Sequence, residues 1–496
     1  MRSPSACVTN DPGMITRDAA GIAGWLQGEF LEGRRREQPY RLEDGTIPGP
    51  TAYLHAGSKT AVCQLLEDSL SLWREDAVSF PPFVGTFTAA EQATRETHLD
   101  AFLQTVEAEL RDLPRTRSKR HSARRRITSA FIDFAKACLD LDDSHLELLL
   151  NDGFSAVATQ LARQARQLDP GVSAADIFQA SRNAWTACGL QSLMGQEMRL
   201  TPAIFAYSML YPYTDNYLDD PAASRGAKLA FSDRFRRRLD GDAVDPFNDR
   251  EATIWRLVEL IEEQYARADW PKVYASLLTI HRAQENSVRL LRFGSSSADA
   301  DVLELSFEKG GASVVADAYL AAGSLSPDEA QFAFGWGALL QLADDLQDLQ
   351  QDLRQGILTV FTQAAARAPL GMPLDDLTTR TLSFGQRVMR QVNRVPSNHS
   401  TANGQAAKRK PLEELIRMSC SLLLIWSAGE SRKLYTSRYL ADLETHSPFR
   451  FAHLTEKRKM LARWTGPLAR LFESFLEDEE DEPASLLLAS SLMPRF

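Results

Sequence analysis

Two short acidic segments end otherwise apolar helical stretches, and they constrain this chain more than any other feature. They read Tyr213-Thr-Asp215-Asn-Tyr-Leu-Asp219-Asp220 and Gln341-Leu-Ala-Asp344-Asp345-Leu-Gln-Asp348. Residues four apart on a helix share a face, with about 5–6 Å between their Cβ atoms. Asp215 and Asp219 therefore form one carboxylate pair, and Asp344 and Asp348 a second. Phe205, Tyr207, Leu210 and Tyr211 flank the first pair, and Phe334, Trp336, Leu339 and Leu340 the second, so both are expected to be partly buried. Like charges buried together are costly unless cations neutralise them. Hard oxygen donors favour Mg²⁺, which keeps several waters and is typically completed by substrate phosphates. Two such pairs facing each other with metal between them would make a diphosphate site.

The rest of the chain reads as helix. Leu103, Val106 and Leu110 recur at helical spacing, as do Phe131, Phe134 and Ala135, and Leu257, Leu260 and Ile261. Alternating β-branched runs are nearly absent, and no Asn-Gly hairpin lies between such runs. An all-α fold follows. The 496 residues are 44% hydrophobic, ample for a large core. The net charge of -10 gives a nucleic-acid partner no support. Cys7, Cys63, Cys138, Cys188 and Cys420 are odd in number and lack metal-ligand spacing, which suggests thiols in a reducing cytosol. Residues 1–21 lack the apolar core of a signal peptide, and no run reaches the about 18 apolar residues of a membrane span. A cytoplasmic protein with no membrane span is expected, as monomer or homodimer.

Composition divides the chain into an irregular segment over 1–60, N-terminal helices over 61–170, a catalytic core over 171–460, and a C-terminal helix with acidic tail over 461–496. Within the core, 395–410 carries Pro396, Asn398, Ser400, Asn403 and Gly404 and reads as a flexible loop. The basic run over 115–126 reads as a solvated loop and helix start, with attraction to an anionic partner as the lesser reading. Residues 477–482 are solidly acidic without apolar flanks, the pattern of a solvated tail.

At the second acidic segment the chain resembles the class I isoprenoid synthases, the trans-prenyl diphosphate synthases and terpene cyclases. Gly337, Gln341, Asp344, Asp345 and Asp348 fall on the family's Gly, Phe-Gln and DDxxD pattern, with Leu340 in place of Phe. The first segment is similar to the family's other aspartate-rich motif. Asp215 and Asp219 match its first and last acids, and Arg225 and Gly226 its trailing Arg-Gly. Asn216 and Ser224 replace the second acid and the first arginine. Glu308-Lys309-Gly310-Gly311 lies where the family has a diphosphate-contacting lysine. The resemblance covers about residues 175–445. It implies a helical bundle around a central active-site cavity and, as cofactor, three Mg²⁺ ions held by Asp215, Asp219, Asp344, Asp345 and Asp348. It also implies diphosphate contacts from Arg225 and Lys309, with Gln341, Gln284 and Arg182 as further substrate-binding candidates.

The departures point to a reaction type. The upstream Gly-Lys-x-x-Arg motif, which grips isopentenyl diphosphate in chain-elongating relatives, is missing, and Ser224 removes another arginine of that site. Such a protein resembles the bacterial class IB terpene synthases, as do residues 206–215 and His281-Arg-Ala-Gln284. It would ionise one prenyl diphosphate and cyclise the cation. The alternatives are a prenyltransferase, elongating or head-to-head, and a helical scaffold without catalysis. An allylic cation needs a dry aromatic pocket. Phe178, Trp185, Tyr207, Tyr211, Phe307 and Trp336 are available, although core packing is the plainer reading of each. The polar stripe His281, Gln284, Glu285 and Arg289 reads as solvent-facing or as a pocket wall, as does Arg182-Asn183 with Gln191. Tyr435, Arg438 and Tyr439 are candidates for closing the pocket's mouth.

Overall fold

The computed structural model describes residues 56–75, 85–150, 153–219, 223–291, 302–367, 372–395 and 403–476. The segment over 1–55 and the acidic tail over 477–496 lie outside the described residues. Among the described residues every regular element is helical, as the periodicity implies.

The N-terminal part comprises α1 (Ala56–Arg74), α2 (Ala89–Arg111), α3 (Arg117–Leu139), α4 (Asp143–Leu150) and α5 (Phe154–Leu168). Next come α6 (Ala174–Leu193), α7 (Pro202–Asp219), α8 (Arg225–Asp240), α9 (Asp249–Gln264) and α10 (Pro271–Leu291). The remainder is α11 (Val302–Ala322), α12 (Pro327–Gln347), α13 (Leu349–Gln355), α14 (Val360–Arg367), α15 (Met372–Gln391), α16 (Asn403–Glu430), α17 (Ser437–Glu444), α18 (Phe451–Leu461) and α19 (Thr465–Leu476).

Local chemistry sets several of these starts. Thr88 and Glu91 close a capping box at α2, Ser173 and Asp176 at α6, and Ser326 and Glu329 at α12, where Pro327 also occupies the first turn. Each box satisfies amide donors that a helix start leaves without partners.

Two apolar clusters make up the core. One gathers Leu103, Phe131, Phe134, Phe307, Phe334 and Leu412, and the other Ile177, Ile204, Leu257, Val258, Ile261 and Leu320. Helix α11 serves both clusters from opposite sides, so it is the central strut.

Two readings of the sequence need correction. The basic run is mostly helix rather than solvated loop, because α3 starts at Arg117. Its Arg124 is buried, with the guanidinium donating to the Phe475 carbonyl and lying over the Phe475 ring. A cation thus closes the C-terminal end of α19, where free carbonyls gather. The segment 395–410 is not loop throughout either, since α16 begins at Asn403. Arg409 anchors that first stretch by donating to the carbonyls of Leu193, Val392 and Val395 and pairing with Glu413. Residues 396–402 lie outside the described residues. No helix among the described residues is long and apolar enough to cross a membrane.

Candidate metal–diphosphate site

The site is built on the crossing of α11 and α12. At Gly310 an added Cβ would lie 2.3 Å from the Gly337 carbonyl oxygen, and at Gly337 it would lie 2.1 Å from that of Gly310. Only two glycines let backbones approach this closely. A Cβ on Gly311 would strike the Phe334 ring at 2.6 Å. The glycines after Lys309 therefore set the approach of α11 to the acidic end of α12.

The acidic stretch runs further than its motif. Asp348 stands at the junction of two helices, as the C-cap of α12 and the N-cap of α13. Its amide donates to the Asp344 carbonyl at 2.9 Å, and the Asp352 amide donates to the Asp348 carbonyl at 2.9 Å. Helix α13 stops at Gly356, whose φ of +69° suits glycine. Asp344, Asp345 and Asp348 lie near enough to Asp352 for their charges to raise its carboxyl. Asp352 lies four residues beyond the last acid of the sequence motif. Its four-residue spacing from Asp348 is the signal that could have found it.

Asp345 stands about 100° around the helix from Asp344. It is buried, and both its oxygens are occupied: Gln341 Nε2 donates to Oδ1 at 2.8 Å and Ser306 Oγ to Oδ2 at 3.0 Å. Asp345, an expected metal ligand, thus faces α11, and Gln341, an expected substrate contact, is its hydrogen-bond partner.

Electrostatics mark the cluster as crowded with negative charge. Burial pushes the Asp345 carboxyl up to about 6, and the Asp344 charge adds to the rise, against the pull of Gln341, Lys309 and Ser306. Burial likewise pushes Asp352 up to about 7, helped by the charges of Asp348, Asp345 and Asp344 and opposed by Lys309. Both carboxyls are therefore partly protonated near neutral pH. The donors are all carboxylate, the oxygen chemistry a hard divalent cation takes.

The first acidic segment lies at the same end of the bundle. The Ala203 amide at the start of α7 donates to Gln264 Oε1 at 3.0 Å, and the hydroxyl of the neighbouring Tyr265 donates to the Leu320 carbonyl at 2.9 Å. The start of α7 thus meets the end of α11. Further along α7, Asn183 Nδ2 bridges Ser208 Oγ at 3.2 Å and Asp317 Oδ1 at 3.0 Å. So α7 runs antiparallel to α11, and its last turns, with the backbone of Asp215 and Asp219, reach the Lys309 end. The side chains of Asp215, Asp219 and Arg225 lie outside the described residues. Around them, Tyr213 donates to Asp169 at 2.6 Å and Tyr217 packs on Phe231 at 4.4 Å. Ser224, which stands in an arginine's place, is the N-cap of α8 and accepts from the Ala227 amide at 3.2 Å. Among the described residues no three His, Cys, Asp or Glu side chains are grouped to hold an ion. The expected set draws two of its members from α7.

Other candidates divide. Arg282, beside the expected Gln284, pairs with Glu308 at 3.4 Å and ties α10 to the residue before Lys309. Gln284 is half-buried, whereas Arg182 is on the exposed face of α6. His281 is buried rather than solvent-facing, edge-on to Phe235 at 5.3 Å, and burial lowers its pKa. Glu285 accepts from Ser232 at 2.7 Å. The side chain of Arg289 lies outside the described residues. Tyr435 and Tyr439 are buried and bonded to Thr378 and Thr379 of α15, so they brace the core rather than standing free at a mouth. Phe178 packs on Phe472 at 5.0 Å, Phe307 on Trp73 at 5.8 Å, and Trp336 on Phe332 at 5.8 Å, the core role expected of most aromatics. Tyr211 stays half-buried below the first segment.

Compared with protein-family models, curated proteins and solved structures, the chain matches none.

Proposed function

We propose that the protein is a Mg²⁺-dependent class I terpene synthase, which ionises one linear prenyl diphosphate and cyclises the resulting cation. One observation carries the reading. Asp344, Asp345, Asp348 and Asp352 lie close enough together at the end of α12 and in α13 to raise the carboxyls of Asp345 and Asp352, Lys309 acts on the same carboxyls, and the first acidic segment ends at the same level of the bundle. Asp344, Asp348 and Asp352, with Asp215 and Asp219 of α7, would hold Mg²⁺. Bound Mg²⁺ supplies the positive charge that makes diphosphate a competent leaving group.

The chain's own residues do the rest. Lys309 would donate charge-assisted hydrogen bonds to a departing diphosphate oxygen, an interaction that strengthens as negative charge develops there. Gln341 and Ser306 hold Asp345 in place beside Lys309, fixing local charge without touching substrate. Arg282 restrains Glu308 and so keeps that carboxylate paired next to the lysine. The half-buried Tyr211 offers a ring face toward which cationic charge is drawn, worth about 0.5–2 kcal/mol.

The absence of the upstream Gly-Lys-x-x-Arg motif favours cyclisation over chain elongation, and the capping role of Ser224 gives that residue a structural duty instead. Incubation of purified protein with geranyl, farnesyl or geranylgeranyl diphosphate and Mg²⁺ tests the proposal. Inorganic diphosphate and a cyclic hydrocarbon or alcohol are expected from the allylic substrate alone. Elongated diphosphates as main product, with a rate saturating in isopentenyl diphosphate, would contradict it and favour a prenyltransferase.

A further inference from the structure

Helix α7 changes character just before its first acid. Pro212 is buried inside the helix and carries no amide hydrogen, so the ladder lacks the bond that position 212 would give to the Ser208 carbonyl. Thr214, also buried, turns its hydroxyl back along the helix and donates to the carbonyls of Leu210 at 2.9 Å and Tyr211 at 3.2 Å. Such back-bonding competes with the ladder and often bends a helix. The last turns of α7, which carry Asp215 and Asp219, are therefore joined to the rest of the helix through a weakened stretch. Contacts outside the helix must set where they stand.

Tyr213 and Tyr217 make such contacts. The Tyr213 hydroxyl donates to Asp169 Oδ2 at 2.6 Å. Asp169 is itself fixed in the turn between α5 and α6. Its amide donates to the Ala165 carbonyl at 2.9 Å, its carbonyl accepts from the Val172 amide at 3.1 Å, and its Oδ1 accepts from the Gly171 amide at 2.8 Å. Arg166 closes the same turn by donating to the Pro170 carbonyl at 3.1 Å and to that of Val172. One turn further along α7, Tyr217 meets the Phe231 ring of α8 at 4.4 Å and the Arg250 guanidinium of α9 at 5.4 Å. Successive helical residues are about 100° apart, so positions 215 and 219 stand about 200° around α7 from Tyr213 and Tyr217. The tyrosines thus anchor the back of the turns whose opposite face carries the two acids.

From this geometry we infer that Asp169 and Tyr213 are a positioning pair for the diphosphate site. Their hydrogen bond sets where the acidic end of α7 stands relative to Asp344 and Asp348, and so how tightly the five acids together take a divalent cation. Neither residue touches metal or substrate. The inference rests on the metal–diphosphate reading of the site and adds to it a residue of the α5–α6 turn, which lies in neither acidic motif. The Tyr217 contact alone leaves the segment able to swing about one point, and the Tyr213 bond supplies the second. What the pair needs at position 169 is a fixed oxygen acceptor rather than a charge, because a phenolic O–H requires only a lone pair. A bond that merely held the fold together would show in the melting of the ligand-free protein. A positioning bond shows in the cation concentration that the site requires.

Thermal melts of the full chain against Mg²⁺ concentration, at fixed inorganic diphosphate, test this. Tyr213→Phe removes one hydroxyl and keeps the ring. It is expected to melt close to wild type without ligands and to need about tenfold more Mg²⁺ for the half-maximal rise, the low end of what losing a group behind metal ligands costs. Asp169→Ala should move that midpoint by the same factor, and the double variant by no more than either alone, since one bond is lost only once. Asp169→Asn keeps an acceptor and should stay near the wild-type midpoint. A Tyr213→Phe midpoint equal to that of wild type overturns the inference alone, whether or not the ligand-free melt has fallen. Factors that multiply in the double variant also overturn it. If Tyr213→Phe does not fold, Asp169→Ala is read in its place, and if neither folds the pair is structural and the inference falls. A wild-type melt that Mg²⁺ with diphosphate leaves unmoved overturns both this inference and the function beneath it.

Discussion

Two clusters of buried carboxylates in this protein are treated in opposite ways. Between α2 and α18, Glu96 is almost fully buried, and positive charge surrounds it. Arg450 donates to it from backbone amide and guanidinium, His453 approaches to 3.9 Å, and nearby Asp100 has Lys457 at 2.9 Å. Burial raises the Glu96 carboxyl, but the Arg450 hydrogen bonds outweigh that and hold it below the ordinary value. At the end of α12 and in α13, Asp345 and Asp352 are buried to a similar degree, and their carboxyls are pushed up to about 6 and about 7. The first cluster is complete as it stands and joins two helices. The second gathers acids whose charges raise one another's carboxyls, the crowding that the proposed cation would relieve.

The largest effect should come from removing an acid of the second cluster. Asp352→Asn is expected to lower turnover about 100-fold or more, the scale of losing one charge-stabilising group. Its melting temperature should hold or rise, since one of several repelling acids is gone. Activity near wild type would remove Asp352 from the site. Gly310→Ala should show the next largest effect. Its methyl group would press on a backbone oxygen, so a loss of about 3 kcal/mol is expected, the upper end of overpacking costs. Chemical denaturation measures it, and a stability unchanged from wild type would break the claim that this crossing places Lys309. In the complete cluster, Arg450→Ala should lower the melting temperature by leaving Glu96 short of its partner. Turnover of the folded fraction should not change. A large drop in activity instead would make the two clusters alike.

Acidity gives the smallest effect and the finest comparison. In the metal-free protein, Asp345 and Asp352 bind protons more tightly when folded than when unfolded. Their contribution is therefore fully present below about pH 4, the ordinary aspartate value, and is lost as pH rises through about 6 to 7. Glu96 works the other way, stabilising above the ordinary glutamate value and losing that as pH falls. Thermal melts in EDTA should lie a few degrees lower at pH 8 than at pH 5.5, and Asp352→Asn should flatten that slope. A wild-type melt that rises over this interval would contradict the assignment of both carboxyls.

Much of this was legible before any coordinates. The spacing of Leu103 and Val106, or of Phe131, Phe134 and Ala135, comes from the helical period, and these side chains are buried. Asp344, Asp348 and Lys309 were readable as types and spacings. What the spacing cannot carry is rotation and partnership. Asp345 neighbours Asp344 in sequence but points about 100° away, so its duty depends on which helix packs there. Arg124 looked solvated because its neighbours are basic, yet it meets the end of a helix more than three hundred residues later. Residues 403–410 are polar and carry Gly404, which suggests a loop, and tertiary bonds from Arg409 favour helix instead. Asp317 was hidden in an apolar run, where no local pattern marks a single acid.

Under the proposed function, the carboxylates around Asp344 receive divalent cation together with diphosphate. The most direct measurement is the melting temperature of the purified protein with Mg²⁺ alone, inorganic diphosphate alone, and both together, in wild type and in Asp344→Asn. A ligand bound only by the folded state stabilises it by RT ln(1 + [L]/Kd), about 2.7 kcal/mol at a concentration 100 times Kd. The wild-type melt should rise by several degrees only when both are present, and Asp344→Asn should lose most of that rise. A wild-type melt that Mg²⁺ and diphosphate together leave unmoved would contradict the claim.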